Sequence, residues 1–316
     1  MKIFITRKIP GIAESLLNKN GFDVTSFKKD KPISKQELLK SVKGIDALIS
    51  LLTDKIDKDI IDAMPGCKVI ANYAVGYNNI DVNYAKSKGI VVTNTPDILT
   101  DATADLAVTL LLAAARRVIE GDNMMRQNKF EGWKPQLLTG VDVRNKTVGI
   151  LGTGRIGTAF AKRMSGFDSK ILYYDKTNNE QIEKRFGGKK VTLNTLLKKA
   201  DFISIHLPLT PDTYHLLNKE KLQMLKSTAV VINTARGEII EERELIKLLK
   251  GRKIFAAGFD VYENEPAVNS ELFKLDNVVL LPHVGSATIE TRSKMAELAA
   301  KNVIAVLKNK KPLTAV

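Results

Sequence analysis

The sequence predicts an α/β protein built from two doubly wound parallel sheets. Short β-rich apolar runs alternate with helical segments through the N-terminal third, and after a long apolar helix the alternation restarts at Thr147. Size points the same way: 316 residues, 44% of them hydrophobic, favour two cores, because single cores stop growing at roughly 250 to 300 residues.

In chain order, KIFITR reads as a strand, Ile12 to Leu17 as a helix, FDVTSF as a strand, Lys35 to Val42 as a helix and DALISLL as a strand. Lys58 to Met64 then reads as a helix, KVIANYAV as a strand, Val82 to Lys86 as a helix and IVVTNTP as a strand. Such strand–helix repeats argue for a parallel sheet. The segment TADLAVTLLLAAARR is helical by its Leu and Ala content and apolar on nearly every face, as a bridging or subunit-interface helix would be. From Thr147, TVGILGTG, KILYYD, DFISIHLP, AVVINTA, FAAGFDV and VVLLPHV predict strands, with helices such as Ile156 to Met164 and Arg243 to Leu249 between most of them. Met295, Ala299, Val303 and Val306 recur at helical spacing and predict an amphipathic helix after the second sheet.

Composition excludes several classes. The one cysteine, Cys67, has no partner for an internal disulfide, and MKIFITRKIP meets a charge too early for a secretory apolar region, so a cytoplasmic location is expected. The uncharged run from Leu106 to Ala115 is far shorter than the ~20 residues of a membrane span, so no membrane role is expected. The net charge of +14 raises nucleic acid as a partner. The lysines are spread along the whole chain and do not interleave with aromatics, which argues against nucleic acid and for a solvated surface that attracts anionic ligands. No metal site is expected.

The strongest local signal is Gly152-Thr153-Gly154-Arg155-Ile156-Gly157, which follows an apolar strand and opens a helix. That context is what a dinucleotide fingerprint requires: a tight turn, close backbone approach to a pyrophosphate, and close helix packing. The next strand ends in Asp175, where a carboxylate would accept bonds from ribose hydroxyls and repel a 2′-phosphate, so NADH is expected over NADPH, with the neighbouring Lys176 softening the preference. Further candidates for coenzyme contact are His206, Pro208, Thr213, Thr234, Ala235 and Gly285.

Of the three histidines, His283 follows a strand end in LLPHVGSAT, the edge that borders ligands in such sheets. His206 is read as lining the coenzyme cleft or filling the core, and His215 as structural or surface. Arg236, in INTARGE, and Glu265, in ENEP, complete a set: a guanidinium to hold a carboxylate, an imidazole to move a proton, and a carboxylate to orient and charge it.

The stretches ANYAVGYNNID, TNTPDILTDATADLAVTLLLAAARR, VGILGTGRIG, INTARGEII, GFDVYENEP and LPHVGSAT resemble the D-isomer-specific 2-hydroxyacid dehydrogenases over essentially the whole chain, in the branch of the glyoxylate/hydroxypyruvate reductases. The resemblance implies a Rossmann coenzyme domain, residues 99–285, inserted in a flavodoxin-like substrate domain, residues 1–98 and 286–316. It implies that Arg236, Glu265 and His283 are catalytic, that Asp260 lies near the nicotinamide, that backbone N–H groups of Val75 and Gly76 hold the substrate carboxylate, and that Leu51 or Leu52 forms an apolar wall. It also implies a homodimer built on the segment after Thr100, with Trp133 reaching the neighbouring active site. Glu265 sets aside formate dehydrogenases, and the length leaves no room for the regulatory domain of long phosphoglycerate dehydrogenases. D-lactate and short phosphoglycerate dehydrogenases remain alternatives, as does a coenzyme-sensing corepressor of the same fold.

Overall fold

Parallel pairing organises every strand of the computed structural model, which describes residues 1–316. The chain divides into two compact units, Met1–Leu99 with Ser286–Val316, and Thr100–Gly285. The first contains β1 (Lys2–Ile5), α1 (Ile12–Lys19), β2 (Asp23–Ser26), α2 (Lys35–Ser41), β3 (Ala47–Ser50), α3 (Lys58–Asp62), β4 (Val69–Asn72), α4 (Val82–Ser87) and β5 (Val91–Thr93). Its strands lie in the order β2-β1-β3-β4-β5. Ser34, Asp57 and Asp81 each accept a first-turn N–H, so the short helices α2, α3 and α4 start where a capping side chain satisfies an orphan donor. Every residue of β3 and β4 is buried, as expected of strands covered on both faces.

The second unit opens with α5 (Thr100–Ala115) and α6 (Val118–Arg126). The alternation then runs through β6 (Thr147–Leu151), α7 (Arg155–Ser165), β7 (Lys170–Tyr174), α8 (Glu180–Phe186), β8 (Lys189–Lys190), α9 (Leu193–Lys199) and β9 (Phe202–Ile205). It finishes with α10 (Lys219–Leu222), β10 (Val230–Asn233), α11 (Glu242–Lys250), β11 (Ala256–Phe259) and β12 (Val278–Leu280). The strand order is β12-β11-β10-β9-β6-β7-β8, so the chain reverses direction between β6 and β9, the switch point of a doubly wound sheet. The six expected strands of this sheet are joined by a seventh, β8, whose two exposed lysines carry no apolar signal. The apolar α5 is buried on several sides, against β10, β11, β12 and α7. Leu245, Ile246 and Leu249 of α11 enter the other core of this sheet, and truncating such a buried leucine costs about 2 to 5 kcal/mol.

After Gly285 the chain returns to the first unit as α12 (Ile289–Leu307), whose Met295, Ala299 and Val303 pack with Ile3, Ile5, Leu17 and Ile49. No helix is long and apolar enough to cross a membrane.

Register makes the second sheet a platform. Tyr174, Leu151, Ile205, Asn233, Phe259 and Leu280 pair in one row across six strands. The residues one step beyond, Asp175, Gly152, His206, Thr234, Asp260 and Leu281, therefore line the carboxyl edge, where open parallel sheets bind ligands.

Candidate active site

The glycine turn is fixed by close approach. Gly152 has φ +89°, and a Cβ there would meet the His206 backbone at 2.8 Å. A Cβ on Gly157 would lie 2.0 Å from the carbonyl oxygen of Gly152, so turn and helix touch backbone to backbone. Gly154 differs: nothing lies within 4 Å of its added Cβ. It caps α7 without a side-chain acceptor, so this helix start faces open space, the cradle a pyrophosphate needs. On the same carboxyl edge, just past β10, the buried hydroxyl of Thr234 has no hydrogen-bond partner. Arg155 and Ile156 form the first helical turn, and Ala235 follows Thr234. These features fit a dinucleotide.

Asp175 is tied to that turn. Its Oδ2 accepts the Thr153 backbone N–H at 2.7 Å and the Thr153 hydroxyl at 2.9 Å. Burial opposes its charge, but the Thr153 donors win and hold its carboxyl below the ordinary range. Lys176 turns away to an exposed ion pair with Asp212 at 2.9 Å. Burial pushes His206 down to about 3, so its ring is neutral, packed against Phe160 and hydrogen-bonded with Ser204 at 2.9 Å. Thr213 shapes its own loop, accepting from the Thr210 N–H at 2.8 Å and donating to the Pro208 carbonyl at 2.6 Å.

Arg236 stands on a built turn. Asn233, at the end of β10, accepts the Ala235 N–H at 3.0 Å and donates to the Arg236 carbonyl at 2.8 Å. The backbone after the arginine lies directly on the next strand's loop, since a Cβ on Gly237 would sit 1.9 Å from the Tyr262 carbonyl carbon. Burial pulls the Arg236 pKa below the usual arginine value, against the opposing charges of Glu265 and Glu238. The planar guanidinium stays charged and suits a carboxylate.

Glu265 uses both oxygens. Oε1 accepts the Tyr262 N–H at 3.0 Å and Oε2 lies 2.8 Å from His283 Nδ1. Burial opposes ionisation of Glu265, yet the bond and charge of His283 hold its carboxyl below the ordinary range. An ionised carboxylate only accepts, so Nδ1 carries the proton and Nε2 is the nitrogen left to exchange one. His283 has φ +56°, a left-handed backbone uncommon for a residue with a side chain. Asp260, 1% exposed, holds that backbone by accepting the N–H groups of Val284 and Gly285, each at 2.7 Å. Burial raises the Asp260 pKa, although both N–H bonds and His283 pull it down. Thr103 completes the loop with a 3.2 Å bond to the Gly285 carbonyl.

In the first unit, Leu51 and Leu52 lie half-buried just past β3, and Val75 and Gly76 half-buried just past β4. The carbonyls of Gly76 and Val75 accept from Asn72 and Asn94, both at 2.8 Å. Asn72, Asn94 and Asn233 escaped the sequence reading; a polar amide closing an apolar strand is the signal that marks two of them. His215, read as structural, pairs with Glu263 at 2.8 Å and stacks on Tyr214. No group of three or more His, Cys, Asp or Glu side chains is arranged to hold a metal ion.

Residues 108–285 match the family model described as D-isomer specific 2-hydroxyacid dehydrogenase, NAD binding domain. A glyoxylate reductase of Pyrococcus horikoshii is 48% identical, over 100% of this chain and 95% of its own length. The chain belongs to the D-isomer-specific 2-hydroxyacid dehydrogenases. It is thus an oxidoreductase, and its second unit carries the family's nicotinamide-coenzyme domain. A glyoxylate reductase of Thermofilum pendens is 49% identical over 98% of this chain and 93% of the relative. Among solved structures, a Thermus thermophilus protein superposes with a TM-score of 0.95 at 42% identity, covering 100% of both chains. An NADPH-dependent glyoxylate/hydroxypyruvate reductase of Sinorhizobium meliloti, solved with NADP and malonate, superposes with a TM-score of 0.87 at 33% identity, covering 100% of this chain and 96% of that one.

Proposed function

We propose that this family member reduces glyoxylate and hydroxypyruvate to the D-2-hydroxy acids, with NADH preferred to NADPH. The observation that carries the chemistry is the 2.8 Å pairing of His283 Nδ1 with Glu265 on the strand edge that also presents Arg236. Bound nicotinamide supplies the hydride. Protonated His283 gives its Nε2 proton to the 2-oxygen of the acid, Glu265 orients the ring and faces its charge, and Arg236 grips the acid and offsets the charge growing on that oxygen. The resemblance of ANYAVG and LISLLTD to the family supports backbone N–H groups of Val75 and Gly76 as carboxylate donors and Leu51 or Leu52 as an apolar wall.

The choice of acid rests on relatives named glyoxylate reductase at 45% to 49% identity over nearly the whole chain. The coenzyme preference rests on Asp175, whose ionised carboxylate disfavours a 2′-phosphate. An assembly of two copies is supported by the apolar surface at Val118, Ile119, Met125 and Phe130, by the 82% exposure of Trp133, and by a cavity of about 320 Å³ that Ile119 helps line. A cytoplasmic location accords with the lone buried thiol.

One assay tests the reading: NADH oxidation with glyoxylate, hydroxypyruvate, pyruvate and a branched 2-keto acid. The expected order puts the first two ahead. Turnover led by pyruvate or the branched acid would assign the protein to another branch of the family, and no turnover with any acid would favour a coenzyme-sensing role. Light scattering of the eluted protein tests the dimer.

A further inference from the structure

We infer that Asn79 is a specificity-determining positioning residue: with Asn72 behind it, its amide sets the spacing between the Leu51–Leu52 wall and the Val75–Gly76 carboxylate cradle, and so limits the size of the acid. The inference rests on the reading above that these two loops meet the acid. Both loops follow strand ends at the carboxyl edge of the first sheet, where ligands bind in folds of this kind.

The cradle is aimed by carbonyls. In a trans peptide the C=O and the following N–H point in opposite directions. The Thr95 N–H holds the Ala74 carbonyl at 2.9 Å, which fixes the direction of the Val75 N–H. Asn94 holds the Val75 carbonyl at 2.8 Å, which fixes that of Gly76. Asn72, fully buried, holds the Gly76 carbonyl at 2.8 Å and passes its amide on to Asn79 Oδ1 at 3.3 Å.

Asn79 then reaches the wall. Its Nδ2 donates to the carbonyls of Leu51 and Asp54, both at 3.0 Å, closing the two ends of the turn that bears Leu52. Asp54 braces the same turn by accepting the Leu51 N–H at 2.7 Å. Through its own carbonyl, which accepts the Ile56 N–H at 2.8 Å, Asn79 is anchored in the backbone as well. One amide thus joins the carbonyl side of the cradle to both ends of the wall. Removing its donors frees the wall to move outward without touching the proton-transfer groups of the second unit.

The test is the substitution Asn79→Asp, which keeps the shape but sets an acceptor against two carbonyls, with Asn79→Ser as a smaller second variant. We expect the ratio of kcat/KM for hydroxypyruvate to that for a branched 2-keto acid to fall about tenfold, the size of losing one or two positioning hydrogen bonds. The change should lie in the KM of the acids, with the KM of NADH and the pH profile of kcat unchanged. Equal loss for both acids, or a normal ratio in a folded variant, overturns the inference. Leu52→Ala separates the two levels: if it shifts the ratio and the Asn79 variants do not, the clamp is wrong and the reading of the wall stands. If neither shifts it, the loops do not meet the acid, and both fall.

Discussion

His283 and Glu265 face each other across 2.8 Å from the ends of different strands, with the histidine held in a left-handed backbone conformation that Asp260 braces from below. Replacing the imidazole by an amide that cannot carry a proton, as in His283→Asn, should lower keto-acid turnover by about 10² to 10⁴ while NADH binding stays near normal. Steady-state rates and a fluorescence titration of NADH check the two halves separately. Near-normal turnover removes His283 from its role.

Glu265→Gln should act on stability as well as on rate. Burial opposes the Glu265 charge, but the bond and charge of His283 hold its carboxyl below the ordinary range. That depressed pKa adds stability that is present above the usual carboxylate range and lost as pH falls through the lowered value. The glutamine variant cannot ionise, so it should lose this acid-side dependence and should reduce the keto acid more slowly, its ring no longer facing a carboxylate. Melting curves across the acid range and steady-state rates check the two effects. Wild-type rates together with an unchanged melting profile count against the pairing.

Arg236→Lys keeps the charge and loses the planar fork, so kcat/KM for the keto acid should drop far more than a conservative change suggests, with the NADH KM little altered. Wild-type efficiency in this variant would eliminate two-point recognition of the acid.

Asp175→Ser should narrow the NADH:NADPH ratio of kcat/KM. Two unit charges ~4 Å apart at an effective dielectric of about 20 interact by roughly 4 kcal/mol before solvent relaxes, and even a fraction of that exceeds tenfold. Lys176 pairs with Asp212 only across an exposed 2.9 Å contact that a 2′-phosphate can displace, so a preference and not an exclusion is expected. A wild-type preference for NADPH, or an unchanged ratio in the variant, would clear Asp175 of the role.

Much of the fold was legible because parallel strands covered on both faces must be apolar along most of their length, as β3, β4, β9, β10 and β11 are. The glycine turn was legible for a related reason: a motif confined to six residues states its own geometry. β8 was not, because an edge strand of two lysines buries nothing. The clamp made by Asn72, Asn79 and Asn94 was equally hidden, since amides binding backbone carbonyls leave no periodic trace. Nor does any local pattern reveal that Thr153 grips Asp175, or that His283 sits at positive φ.

The contact at Gly237 has a mechanical meaning. With no side chain between them, the peptide after Arg236 and the peptide joining Tyr262 to Glu263 bear directly on one another, and Tyr262 in turn holds Glu265 through its N–H. The turn of Arg236 and the carboxylate of Glu265 are thereby parts of one packed block. A methyl inserted at residue 237 would displace both together, so neither group can be retuned in position without carrying the other along.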